Sequence, residues 1–347
     1  MLPMPAALPP FLCPSRFLIF ALAAVLLGAC RPAPDRCAAD DPAIAGLDVG
    51  PVAVTHYEAA FLPIRTPAQA AAFAVRYPTF ARQYLLRGQY PSDTVFAGQL
   101  TKLTTNSGFQ KLAQEAATAF GDFAPQQAQL RGAFQHIRHY YPAFRPPQVG
   151  TFVSGLSQDI FLSDSLLVLG LDFFIGPKAS YRPNTTAYIQ RRYQPPYLVP
   201  SAVLLLADGF VRANPQDRTL LSQMVQFGKA YYFAERMLPC VPDSLLIGFT
   251  GRELVGAQFN EQRIWSHFLE NQLLYTTETS VAQKYLGERP TVPEIGKECP
   301  GRIGRWVGWQ IVRAYVAENP NTPLPQLLAE PDAQKILAGA HYKPRKK

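Results

Sequence analysis

The chain is poor in the residues that carry most metal and nucleophile chemistry, with five histidines and five cysteines in 347 residues. No two histidines stand four apart, so the His-Glu-x-x-His helix of zinc peptidases is missing. No Cys-x-x-Cys is present, which argues against a structural zinc cluster. A Gly-x-Ser-x-Gly elbow, a P-loop and a Gly-x-Gly-x-x-Gly turn are all absent. Charged residues are few, at 17%, against 48% hydrophobic, a balance that excludes a disordered chain. The apolar run Phe17–Leu27 is too short to span the ~30 Å hydrocarbon layer as a mature anchor. A basic face for nucleic acid is also missing. Of the net +8, one charge is Arg16 and four are Lys343, Arg345, Lys346 and Lys347, leaving +3 for the body. The last five residues read as a solvated basic tail.

What is present begins at the N-terminus. Arg16, the apolar run and the small residues Gly28 and Ala29 before Cys30 have the layout of a secretory signal. Leu-Leu-Gly-Ala-Cys resembles a bacterial lipobox, in which the Cys30 thiol takes the lipid and becomes the new N-terminus. Several acyl chains on one residue hold a protein to a bilayer, each buried CH₂ contributing about 0.8 kcal/mol. Arg31 follows where some inner-membrane lipoproteins carry Asp, which points to the outer membrane. Cys13 leaves with the signal, so Cys37, Cys240 and Cys299 remain in an oxidising compartment. Cys240 with Cys299 is the favoured pair, both standing in loops beside prolines.

Residues 1–29 are therefore expected as signal peptide, 30–50 as a Pro/Ala/Asp-rich tether, 51–342 as one α+β domain, and 343–347 as the tail. Helices are expected over Pro67–Arg76, Ala81–Leu86, Asp93–Asn106 and Gln127–Tyr141, the last with Leu130, Phe134, Ile137 and Tyr141 in one stripe. A three-strand meander is expected over Gln148–Ser154, Asp159–Leu162 and Leu166–Leu171. Helices return at Tyr197–Ala213 and Gln216–Met237. Thr250 and Glu253 form a capping box, and Asn260 is read as the cap of Glu261–Leu274. Two more helices are expected over Ile303–Glu318 and Pro331–Ala338. The body is thus mostly helical around a small sheet near 148–171.

One segment is unusual. From Cys299 to Tyr315, two of the three tryptophans stand among three arginines, and Gly304 and Gly308 share one helix face. Glycine inside a helix costs about 1 kcal/mol against alanine, so two of them imply a very close neighbour. That neighbour is either another helix, or a ligand in a cleft lined by Arg302, Arg305, Trp306, Trp309, Gln310 and Arg313. Asp208, Glu235, Glu253 and Glu261 are carboxylates that sequence cannot bring together. His136 and His139 share a helix face with no third ligand in view, so neither a metal site nor a catalytic residue is assigned.

These same residues carry a family resemblance. Pro300–Tyr315, Asn260-Glu-Gln-Arg-Ile-Trp265, Phe268-Leu-Glu, Leu273–Thr276, Phe134–Pro142, Leu169–Gly176 and Tyr342-Lys-Pro resemble the gliding-motility lipoprotein GldB family of Bacteroidetes. The resemblance implies a zincin-like fold related to metallopeptidases, with Tyr197–Leu206 where those enzymes carry their zinc helix. It also implies a cell-envelope role in gliding motility and the linked type IX secretion system.

The first functional expectation is a palmitoylated, non-catalytic accessory lipoprotein without cofactor. It would be anchored by Cys30, face the periplasm from the outer membrane, and partner envelope proteins of the gliding and secretion machinery, not nucleic acid. Two alternatives stand beside it: an envelope hydrolase using carboxylates or a metal, and a module binding an envelope polymer through the Trp/Arg segment.

Overall fold

The computed structural model describes Cys37 and residues 42–344. The signal segment, Cys30 and Arg345–Lys347 lie outside the described residues. In chain order the body runs α1 (Pro42–Ala45), β1 (Val54–His56), α2 (Tyr57–Phe61), α3 (Pro67–Arg76), α4 (Pro78–Gln83), α5 (Asp93–Thr104), α6 (Ser107–Phe120) and α7 (Ala124–Tyr140). The strands β2 (Gln148–Phe152), β3 (Ile160–Leu162) and β4 (Leu166–Gly170) follow, then α8 (Ala187–Gln190), α9 (Pro195–Leu206), α10 (Leu220–Met237) and α11 (Asp243–Ile247). The chain ends with α12 (Gly251–Phe259), α13 (Glu261–Glu270), α14 (Thr279–Leu286), α15 (Ile303–Glu318), α16 (Leu324–Ala329) and α17 (Ala333–Ala340). It is a mostly helical α+β body around one small sheet, as expected.

The sheet is not a meander. Its order is β1-β2-β4-β3, with β1 and β4 both parallel to β2 and only β3 antiparallel, on β4. The short β3–β4 turn gave the hairpin away. The parallel pairing of β2 with β4 is long-range and left no local mark. β4, Leu-Leu-Val-Leu-Gly, is buried at every residue, the pattern of an inner strand covered on both faces. β2 is likewise buried from Val149 to Phe152, so its alternation does not separate a wet face from a dry one. The strand β1 was missed because three residues carry no measurable period.

One layer over the sheet is aromatic. Tyr57 stacks on Phe80 with centroids 3.9 Å apart, Phe80 on Tyr84 at 4.9 Å, and Phe61 meets Phe152 edge-on at 5.0 Å. Such pairs contribute about 0.5–1.5 kcal/mol each beyond area burial. Residues 42–50 belong to this body. Ile44 and Val49 are buried, and Gln135 Nε2 donates to the carbonyls of Ala45 (2.6 Å) and Leu47 (3.1 Å). The expectation of a tether is therefore corrected over 42–50, whose apolar residues find a core to enter.

The helix α6 was also missed. Asn106 Oδ1 accepts the Phe109 amide at 3.0 Å as its cap, and Phe109, Leu112, Ala113, Ala116 and Phe120 form the buried stripe. Two alanines in that stripe blurred its period. The Thr250–Glu253 capping box is present in both directions, at 3.2 and 2.8 Å. Asn260 stands at the N-cap of α13, as expected, but its side chain makes no capping bond. Its amide donates back to the Gly256 carbonyl at 2.8 Å, and the helix ends at Glu270.

The cysteine expectation is corrected. Cys37 and Cys240 are each disulfide-bonded, whereas Cys299 is a buried free thiol. A Cys240–Cys299 bridge does not exist. Burial pushes the Cys299 thiol up to about 12.

Candidate functional site

α15 is the centre of the second half, and it packs along α10. Gly308 and Gly228 are the contact: a Cβ on Gly308 would lie 1.8 Å from the Met224 carbonyl oxygen, and one on Gly228 would lie 2.2 Å from the Gly308 oxygen. Gly304 meets Tyr285 and Leu286 of α14 instead. The close neighbour that the two glycines implied is therefore helix on both sides.

This decides the fate of the six residues expected to line a cleft. Trp306 and Trp309 are in the core, 1% and 0% exposed. Trp309 Nε1 donates to Glu235 Oε2 at 2.8 Å, and its ring stacks on Tyr231 at 5.5 Å. Arg313 is held by Glu235 Oε2 and Asp243 Oδ2, each at 2.8 Å, with its guanidinium 4.0 Å over the Trp309 ring. Arg305 Nε donates to the Leu286 carbonyl at 2.6 Å, and its guanidinium lies 4.3 Å over Phe227. Gln310 Nε2 reaches back to the Trp306 carbonyl at 3.5 Å. Trp309, Arg313 and Arg305 thus tie α15 to its neighbours, Trp306 fills the core, and Gln310 bonds within its own helix.

Arg302 is the exception. It precedes α15 in the left-handed region, φ 61°, an unusual conformation for a residue with a Cβ. Its side chain is 7% exposed, and its Nη2 donates to the Gly248 carbonyl at 3.3 Å. There it meets Arg191 and Arg192, which come from the turn between α8 and α9. Arg191 grips Glu253 with two parallel bonds, Nη1 to Oε1 at 2.8 Å and Nη2 to Oε2 at 2.7 Å. Arg192 Nη2 donates to Glu288 Oε2 at 2.8 Å, and Arg302 Nε lies 3.6 Å from that same oxygen. One carboxylate therefore serves two guanidiniums.

The cluster is under-satisfied. The Nε atoms of Arg191 and Arg192 are enclosed and have no hydrogen-bond partner. Burial, and then the neighbouring Arg302 charge, pull Arg192 below the ordinary arginine value. Although burial acts to raise it, the Arg191 guanidinium and the Thr250 amide hold Glu253 below the ordinary carboxylate value. Tyr197, in the first turn of α9, is half-buried. Burial raises its hydroxyl against the pull of Arg191, Arg192 and Arg302. Arg191 also borders a cavity of about 200 Å³, walled by Phe173, Pro177, Arg182, Gln190 and Tyr193.

Three guanidiniums against two carboxylates leave one positive charge in the ion-paired cluster. Planar arginine forks match carboxylate oxygens, so the arrangement is fitted to an anion. The sequence signal was weak: an Arg-Arg pair between Tyr188 and Tyr193, ahead of two prolines.

Other polar groups are structural. Asp172, 1% exposed, accepts the amides of Ser154 (3.0 Å) and Leu156 (2.6 Å) and fixes the turn before β3. Lys229, 2% exposed, donates to the carbonyls of Arg212, Leu328 and Glu330. At the sheet edge, His56 Nδ1 stands 2.9 Å from Thr151 Oγ1, which donates to Glu58 at 2.8 Å. His136 Nδ1 lies 2.9 Å from the Gly132 carbonyl oxygen. Among the described residues no three His, Cys, Asp or Glu side chains converge as a metal requires. No described helix is long and apolar enough to cross a membrane.

A family model for the gliding motility protein GldB matches residues 38–344, and the chain belongs to that family. No curated protein and no solved structure matches it significantly.

Proposed function

We propose that this GldB-family chain is a non-catalytic envelope lipoprotein that supports gliding motility by holding a partner at the Arg191–Arg192–Arg302 cluster. Family membership itself suggests involvement in gliding, and the family's name suggests a lipoprotein. The reading goes further: acylation at Cys30 anchors the body, from the outer membrane and facing the periplasm, and its partners are envelope proteins of the gliding and type IX secretion machinery.

The observation that carries it is the family match across almost all of the described body. A second point supports binding over catalysis. On a zincin-like reading the position of a zinc helix falls at Tyr197–Leu206, where α9 follows the sheet with an apolar sequence. The residues converging at its start are arginines and their counter-ions. They bind and orient charge, but none is a nucleophile beside a general base.

The test is complementation of a deletion strain. Wild type should restore spreading and secretion. Cys30→Ala should take up no labelled palmitate and restore neither, and Arg192→Gln should be anchored yet inactive. Full function in both variants would overturn the reading.

A further inference from the structure

We propose that the Arg191–Arg192–Arg302 cluster is a receptor for a single carboxylate, the terminal carboxylate of a peptide whose last side chain enters the adjoining cavity of about 200 Å³. The inference deepens the binding reading above and rests on it.

Four observations converge. First, Glu288 Oε2 is shared by Arg192 at 2.8 Å and Arg302 at 3.6 Å, so neither guanidinium has a carboxylate to itself. Second, two Nε–H groups are enclosed without partners, so the cluster's donors outnumber its acceptors. Third, the cluster opens on its Arg191–Arg192 side: the side chains of Arg191, Arg192 and Glu288 are 30%, 22% and 34% exposed, while Arg302 backs them from the interior. Fourth, Arg191 belongs both to the cluster and to the cavity wall, which joins a charged recognition point to a largely apolar pocket.

The charge count selects the ligand. One surplus positive charge within the ion-paired cluster, with Arg182 beside it on the cavity wall, suits an anion such as a carboxylate of charge −1. A phosphomonoester brings about −1.5 to −2 at neutral pH and would leave the cluster negative. Arg302 holds its left-handed backbone, φ 61°, where the guanidinium reaches the shared Glu288.

Peptide carboxylates reach the envelope from two sources: the C-termini of proteins and the D-alanine ends of wall peptides. The experiment separates them. Full-length protein in detergent micelles is titrated with Ac-Ala-Ala-Ala as free acid and as C-terminal amide, with Ac-Lys-D-Ala-D-Ala as acid and amide, and with inorganic phosphate. Binding is followed by calorimetry.

At least one free acid should bind about ten-fold or more tighter than its amide, since a charge-assisted hydrogen bond contributes about 1.5–3 kcal/mol. Whichever acid binds tighter assigns the source. Arg192→Gln should abolish the acid–amide difference. Should Arg192→Gln not fold, the acid–amide comparison on wild type still decides. Equal binding of acid and amide for both peptides would overturn the proposal, as would phosphate binding more tightly than either acid. None of these readouts uses motility, so failure here is distinct from failure of the envelope role.

Discussion

Gly308 and Gly228 face each other across the α10–α15 crossing so closely that a Cβ on Gly228 would lie 2.2 Å from the Gly308 oxygen. On the other side of the same contact, a Cβ on Gly308 would lie 1.8 Å from the Met224 carbonyl oxygen. Both obstacles are backbone, so no side chain can swing away.

Gly308→Ala should therefore destabilise the protein even though alanine is the better helix former. We expect a loss of about 1–3 kcal/mol, and more for Gly308→Leu. Gly132 in α7 is the control, because nothing lies within 4 Å of a Cβ there. Gly132→Ala should gain about 0.5–1 kcal/mol from helix propensity alone. Urea melts of the three variants check the contrast.

Trp309→Ala should cost about 3–5 kcal/mol, since it removes a fully buried indole. It also leaves Glu235 without the Nε1 donor at 2.8 Å. Arg305→Ala should cost only about 1 kcal/mol, the order of a partly exposed cation–π contact. Thermal melts of both variants against wild type measure the difference. Near-equal losses would mean that Arg305 does more than pack on Phe227 and bond the Leu286 carbonyl.

Asp172→Ala should cost about 3 kcal/mol, because two backbone amides and the Ser154 hydroxyl lose a buried acceptor. The turn it holds carries two successive left-handed residues, Gly155 at φ 71° and Leu156 at φ 62°. Hydrogen exchange should accelerate across 154–158 before it does in β4.

His56 gives a pH prediction. Its hydrogen bond to Glu58 raises its pKa above 6.5, against the effect of burial. A raised folded pKa means that the folded state binds the proton more tightly. The stabilisation is fully present below the unfolded value and is lost as pH climbs through the raised folded value. In Glu58→Gln the His56 titration followed by NMR should move down, and that pH dependence of stability should shrink.

Cys299 should stay unalkylated in the native protein at pH 8, since burial pushes its thiol up to about 12. In denaturant without reductant it should react, and peptide mapping should place the label at Cys299. Protection of Cys299 under those conditions would restore the bridge that the structure excludes.

Much of this protein was set by local sequence. The α15 boundaries, the capping box at Thr250, the α3 limits and the region of the sheet were all legible, because caps, prolines and helical periods act within a few residues. Gly304 and Gly308 announced a close neighbour for the same reason: two glycines on one helix face are costly wherever that helix lies. Which neighbour it would be was not legible. Only the tertiary structure set Gly308 against Met224, placed Trp306 and Trp309 in the core, and left Cys299 free. It alone paired β2 in parallel with β4, since parallel register depends on a crossover and not on a turn. It alone brought Arg191 and Arg192 to Arg302, because the cluster is closed by Glu253 and Glu288 from other elements. Contacts between distant segments are selected by the packing of the whole core, and no short stretch of sequence carries that information.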